Sequence, residues 1–161
     1  MKRIFLLLAI VGMTAFQSCN SDDTADQIDT DTIAEVFEIN QNTNFTPANQ
    51  YGISYPLNPQ IYSSDMVLLY RLRSASGIDF WEPLPKTYYF NNGNELDYTY
   101  DFSVSQINIR MDGNFDLSTE PGFTLNQVFR VVIIPGYLSN RGGTSSVDLS
   151  DYNAVLKAYG L

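Results

Sequence analysis

The sequence predicts an all-β body: an antiparallel β-sandwich of about seven or eight short strands with a short helix at the C-terminus. Three observations predict it. Between Glu95 and Ser105, Leu96, Tyr98, Tyr100, Phe102 and Val104 alternate with acidic and hydroxyl residues, giving one apolar and one wet face. Residues 66–72 and 128–134 are almost continuously apolar, as strands covered on both faces are. Only the last residues change period, with Tyr152, Val155, Leu156 and Tyr159 forming one stripe of a helix.

Taken in order, residues 36–39 and 51–55 read as short strands near sheet edges, and residues 66–72 as a central strand. Phe80-Trp81-Glu82-Pro83-Leu84-Pro85 reads as a connection between two strands. Residues 86–91 and 94–105 form a predicted hairpin, because Asn92-Gly93 between them tolerates positive φ. Residues 106–111 continue the alternation, with Ile107, Ile109 and Met111 set against Asn108 and Arg110. Residues 128–134 supply a second central strand. All seven prolines are expected between strands, where a missing amide does no harm. For the helix, Ser150 is the expected cap, Asp151 suits the positive end of the dipole, and Gly160 suits the stop. The helix is expected to close one end of the core.

The N-terminus has a different logic. Lys2 and Arg3 precede an apolar run from Ile4 to Phe16, and Ser18 precedes Cys19, the single cysteine. This is the order of a secretory signal at residues 1–18, and the run is shorter than the ~20 residues of a membrane span. Cys19 is the expected lipidation site, since a cysteine at such a cleavage point is where a bacterial lipoprotein is acylated. Residues 19–32 are polar and acidic and lack aromatics, the composition of a solvated tether. Residues 33–161 then form a single domain, of a size suited to one core.

Charge and composition exclude several functions. Removing residues 1–18 takes away two bases and no acid, leaving 7 Lys and Arg against 18 Asp and Glu, a net of −11. Within residues 33–161 there are 13 acids and 7 bases and no basic stripe, so nucleic acid is not an expected partner. The absence of histidine removes the imidazole base, the Ser-His-Asp triad and His-ligated metals. With Cys19 acylated, thiol chemistry goes too. No spacing of carboxylates marks a glycosidase pair, and the expectation is a protein that is not an enzyme and carries no resident cofactor.

Two clusters are candidate ligand sites. Trp81, Tyr88 and Tyr89 could supply stacking faces for a glycan, with Asp79 taking hydroxyls; the alternative is Trp81 plugging one end of the sandwich. Asp112, Asn114 and Asp116 alternate oxygen-bearing side chains in a turn and are a candidate calcium site. Leu117 and Phe123 stand where an EF-hand loop needs glycine and a closing glutamate, so the alternative is a turn that bonds to its own backbone. The run from Asn140 to Ser146 lacks the Gly-Lys-Ser/Thr ending of a phosphate loop and reads as a flexible loop.

Four blocks carry a family resemblance: Val67 to Leu72, Phe80 to Pro85, Asp112 to Ser118, and Asn126 to Arg130. In these the chain resembles a group of small Bacteroidetes-type surface lipoproteins. The resemblance implies a surface-tethered β-domain and transfers no catalytic residues. It also implies two or three acyl chains, such as palmitate, on Cys19, and an export signal in Ser21, Asp22 and Asp23 that directs the protein to the outer face of the outer membrane. Some relatives in this group are called dihydrolipoamide dehydrogenase. These residues argue against that activity, because the chain has no G-x-G-x-x-G turn, no cysteine pair and no histidine. The expected function is a non-enzymatic, lipid-anchored binding or structural accessory, as a subunit of an outer-membrane protein complex, with polysaccharide capture as the alternative.

Overall fold

The structure is a computed structural model and describes residues 33–136 and 147–161. The signal at 1–18, Cys19, Ser21, Asp22, Asp23, the rest of the tether and the 140–146 loop lie outside the described residues.

Eight strands form two antiparallel four-stranded sheets, the predicted sandwich. The first sheet contains β1 (Glu35–Ile39), β8 (Phe129–Ile134), β3 (Met66–Ala75) and β4 (Ile78–Pro83), in that order. The second contains β2 (Gly52–Pro56), β7 (Gln106–Gly113), β6 (Glu95–Phe102) and β5 (Lys86–Tyr89). As expected from their patterns, β3 and β8 are central while β1 and β2 lie at edges.

The alternation of side chains decides what each face meets. From β3 and β8, Val67, Leu69, Phe129, Val131 and Ile133 point inward to meet Leu96, Tyr98, Ile107, Ile109 and Met111 of the opposite sheet. Phe45, Tyr98 and Phe129 meet edge-on at the centre, with ring centroids 5.6–6.0 Å apart. Removing each such ring from water contributes about 1.5–3 kcal/mol. The alternating residues Tyr70, Val132 and Ile134 point the other way and are also fully buried. The C-terminal helix (Tyr152–Tyr159) covers them, placing Val155 against them. The helix therefore lies on the outer face of the first sheet and does not close one end of the core. The reason is the double apolar face of β3 and β8, which a two-layer sandwich leaves half uncovered.

Several local expectations are corrected. Phe80-Trp81-Glu82-Pro83 is not a connection but most of β4, paired with Arg73 to Tyr70 of β3. A two-residue turn at Ser76 and Gly77, with φ of 54° and 76°, reverses the chain and lets β3 run on to Ala75. Pro56 and Pro83 are not between strands but end β2 and β4, each at a sheet edge where no further amide is needed. The helix cap is Asp151, not Ser150: Asp151 Oδ1 accepts from the amides of Asn153 and Ala154, while Ser150 Oγ donates to Asp148. Gly160 ends the helix at φ 74°, as predicted. The apolar face of β6 fades at its far end, where Phe102 and, past the strand, Val104 are exposed.

Candidate functional site

The structure separates the three aromatics of the predicted glycan platform. Trp81 projects from the outer face of the first sheet, Tyr88 sits in the interior on the second sheet, and its neighbour Tyr89 points to solvent at 75% exposure. Adjacent strand residues face opposite ways, so Tyr88 and Tyr89 cannot share a face. Trp81 does not plug an end of the sandwich either, because it packs with the outer cluster beneath the helix.

Trp81 instead joins a different set of residues. The start of the helix lies beside β4, and between them is a groove of about 550 Å³ lined by Asp79, Phe80, Trp81, Asp151, Tyr152 and Asn153, with Ser150 at its rim. Trp81 is half-buried and held in place: the Arg130 guanidinium lies 3.8 Å from its ring centre, and the Tyr152 ring is 6.1 Å away. Arg130 is fixed in turn by Glu38 and by a 2.7 Å bond to the Tyr152 hydroxyl. Burial pulls the Arg130 guanidinium down, but the hydrogen bonds to Glu38 and Tyr152 outweigh it, so its pKa is raised. Asp79 and Asp151 each use Oδ1 internally, toward Ser74 Oγ and the helix amides respectively. Among the described residues neither Oδ2 has a partner. Ring faces with carboxylate acceptors beside them suit a hydroxylated, partly apolar ligand such as a sugar ring. Nothing in the sequence places Tyr152, Phe80, Asp151 and Asn153 together around a ligand. The Ser76-Gly77 turn is the signal that places β4, and hence Trp81, on this face.

Tyr88 belongs to a buried clamp around Arg71. Arg71 is 5% exposed, and its Nε donates to Gln127 Oε1 at 2.8 Å. Nη1 donates to the Tyr88 hydroxyl and Nη2 to Gly122 O, each at 3.2 Å. The rings of Tyr88, Tyr98 and Phe123 surround the guanidinium at 4.9–5.4 Å. The Tyr88 hydroxyl donates a hydrogen bond to Glu82 Oε2, and the same carboxylate accepts from Arg73 Nε at 2.9 Å. Burial, then the bond to Glu82, pushes the Tyr88 hydroxyl up to about 12, against the pull of Arg71. Burial also raises Tyr98 and Tyr70 above the ordinary tyrosine range.

Each of the predicted calcium residues commits one side-chain oxygen to the chain's own backbone. Asp112 Oδ1 accepts from the Gly113 amide, and Asn114 Oδ1 accepts from the Glu95 amide, both at 2.8 Å. Asp116 Oδ1 takes the amide and hydroxyl of Ser118, capping the short turn Leu117–Thr119. Those two bonds hold the Asp116 carboxyl below its ordinary range. Gly113 is required here, since an added Cβ would lie 2.8 Å from Glu95 O and 2.7 Å from Leu117 Cδ2. Among the described residues no group of three His, Cys, Asp or Glu side chains is placed to hold a metal. One oxygen of each faces a backbone amide, as a turn that bonds to its own backbone requires.

Comparison of the chain with protein-family models, curated proteins and solved structures found no match.

Proposed function

We propose that this chain is a non-enzymatic lipoprotein, anchored in the outer membrane through acyl chains on Cys19 and displayed at the cell surface. Its sandwich acts as a binding or structural accessory, as a subunit of an outer-membrane protein complex. The observation that carries this reading is how the body's ionisable groups are used. Asp65, Asp112, Asp116, Asp148 and Asp151 accept from backbone amides, and Glu82 holds Arg71, Arg73 and Tyr88 together. Groups so engaged stabilise a rigid surface and are poorly placed to transfer protons.

The test runs on intact cells. Labelled palmitate should enter the wild-type protein and not Cys19→Ser, and surface protease should cleave the former. The protein extracted in mild detergent should then migrate with a stoichiometric outer-membrane partner. Migration alone, or turnover of glycosides, esters or peptides by the purified chain, refutes the accessory role.

A second reading, polysaccharide capture, is favoured by the groove at Trp81. Soluble glycans in a native gel should retard the protein, and Trp81→Ala should restore its mobility. Unchanged mobility of the wild type in every glycan removes this reading.

A further inference from the structure

A second groove, of about 360 Å³, opens where β3 outruns β8, between residues 71–74 and the segment 122–128. Its lining includes Arg71, Arg73, Ser74, Asn126 and Gln127 and no carboxylate, in a chain that carries twice as many acids as bases (18 against 9). We propose that this groove binds the carboxylate of a small ligand that is otherwise neutral, such as a saccharide bearing one uronate, through the Arg73 guanidinium. It is separate from the Trp81 groove and independent of that reading.

Three features make Arg73 a prepared anion site. Its Nε is held by Glu82 Oε1 at 2.9 Å, and its guanidinium carbon lies 4.6 Å from the Phe80 ring centre, so the plane of the fork is fixed from two sides. Among the described residues, its two Nη atoms have no hydrogen-bond partner, and the side chain is 42% exposed. A planar fork with a free edge matches a carboxylate with two parallel bonds. Fixing it beforehand removes much of the ordering cost of binding.

The charge balance points the same way. Glu82 is one carboxylate shared between two guanidiniums, and it lies 3.8 Å from Arg71 Nη1, beyond hydrogen-bond reach. The hydrogen bonds of Arg71 all go to neutral oxygens, those of Gln127, Tyr88 and Gly122. A positive charge is thus left under-compensated on the floor of the groove, where desolvation strengthens its pull on an anion. The sheet edge adds a donor. The Leu72 amide donates to Val128 O at 2.9 Å, and by the alternation of the ladder the Ser74 amide points to the same side, past the end of β8. Glu82 is the competing carboxylate on Arg73, and Asp79, on the same strand, spends its Oδ1 on Ser74 Oγ. A polyanion would be repelled by the acidic body as a whole, which is why the ligand is given a single negative group.

The test is a titration of the full chain in detergent micelles with sodium glucuronate, followed by nitrogen-resolved NMR. Glucose serves as the neutral control, and acetate separates the carboxylate from the ring. Glucuronate should shift the Arg73 Nε–H and Ser74 amide signals to saturation, acetate should move the same signals more weakly, and glucose should not move them. Arg73→Gln should weaken glucuronate binding about tenfold or more, the value of a lost charged hydrogen bond. Glu82→Gln, which keeps the side-chain shape and removes the competing charge, should tighten it. Trp81→Ala should leave it unchanged. The proposal fails if glucose moves the same signals as far, if the shifts never saturate, or if Arg73→Gln leaves the affinity as it was while its spectrum remains that of the folded protein.

Discussion

The buried guanidinium of Arg71 gives the sharpest stability prediction. Arg71→Met keeps the apolar stem and removes three hydrogen bonds and the contacts with three rings. Breaking a buried pair so that its partner is stranded costs about 3–5 kcal/mol. Here the partners are not stranded. Gly122 O keeps the Gln127 Nε2 donor at 3.1 Å, Tyr88 keeps Glu82, and Glu82 keeps Arg73. Only Gln127 Oε1 is left poorly satisfied, with the Tyr98 hydroxyl at 3.5 Å. Each lost bond from a charged donor is worth about 1.5–3 kcal/mol, but replacing the ion by an apolar group recovers its desolvation penalty. The expected loss is therefore about 2–3 kcal/mol, concentrated in the Gln127 bond. A urea series measures it as a fall in midpoint at constant slope. Gln127→Leu in the same background closes a cycle, and a coupling of about 1–2 kcal/mol between the two is expected. Additivity within about 0.3 kcal/mol would show that the clamp is not a unit and would refute the reasoning.

Other expectations follow from single contacts. Asp151→Ala removes the helix cap and should cost about 1 kcal/mol in urea unfolding, while Ser150→Ala, which leaves the cap intact, should cost less. In alkali the folded state holds the Tyr88 proton more tightly than the unfolded chain, whose tyrosines titrate near 10.0. Its contribution is complete below that pH and should be lost as pH climbs toward about 12, seen as a falling urea midpoint; a midpoint constant up to about pH 11 contradicts it. The opposite sign holds for Asp116 and Asp148, whose lowered pKa values support the fold above the ordinary carboxylate range and stop doing so as acid protonates them. Calcium or a chelator should leave the melting temperature unchanged, since Asp112, Asn114 and Asp116 each commit one oxygen to a backbone amide; a rise with calcium would reinstate the metal site.

The fold was legible because its signals are local and periodic. The alternation through β6 and β7 and the unbroken apolar runs of β3 and β8 each assign a strand without knowledge of its partners. Placement was less legible. Tyr88 and Trp81 are both large aromatics near one another in sequence, yet the sheets carry them to different layers, which depends on pairing between distant segments. Had Ser76-Gly77 been read as a hairpin turn, Trp81 would have fallen on β4 and Phe80 opposite Arg73. Ser150 and Asp151 are equally good caps on paper, and the choice fell to the residue whose carboxylate reaches the first free amides. The Arg71 clamp left no mark in the sequence, because its members come from β3, β4, β5, β6 and the segment before β8.

In the strand order of the first sheet, β1 and β4 occupy opposite edges. The chain leading back to Cys19 leaves from the β1 edge, while Trp81 and its groove sit on the β4 edge. Under the proposed anchoring at Cys19, tension from anything gripped at Trp81 runs through the ladders β1–β8, β8–β3 and β3–β4 and through the Glu38–Arg130–Trp81 contacts that bridge them. The shortest of these, the five-residue ladder of β1 on β8, is the expected mechanical fuse: under load the body should unzip there first, with the β3–β4 grip still closed.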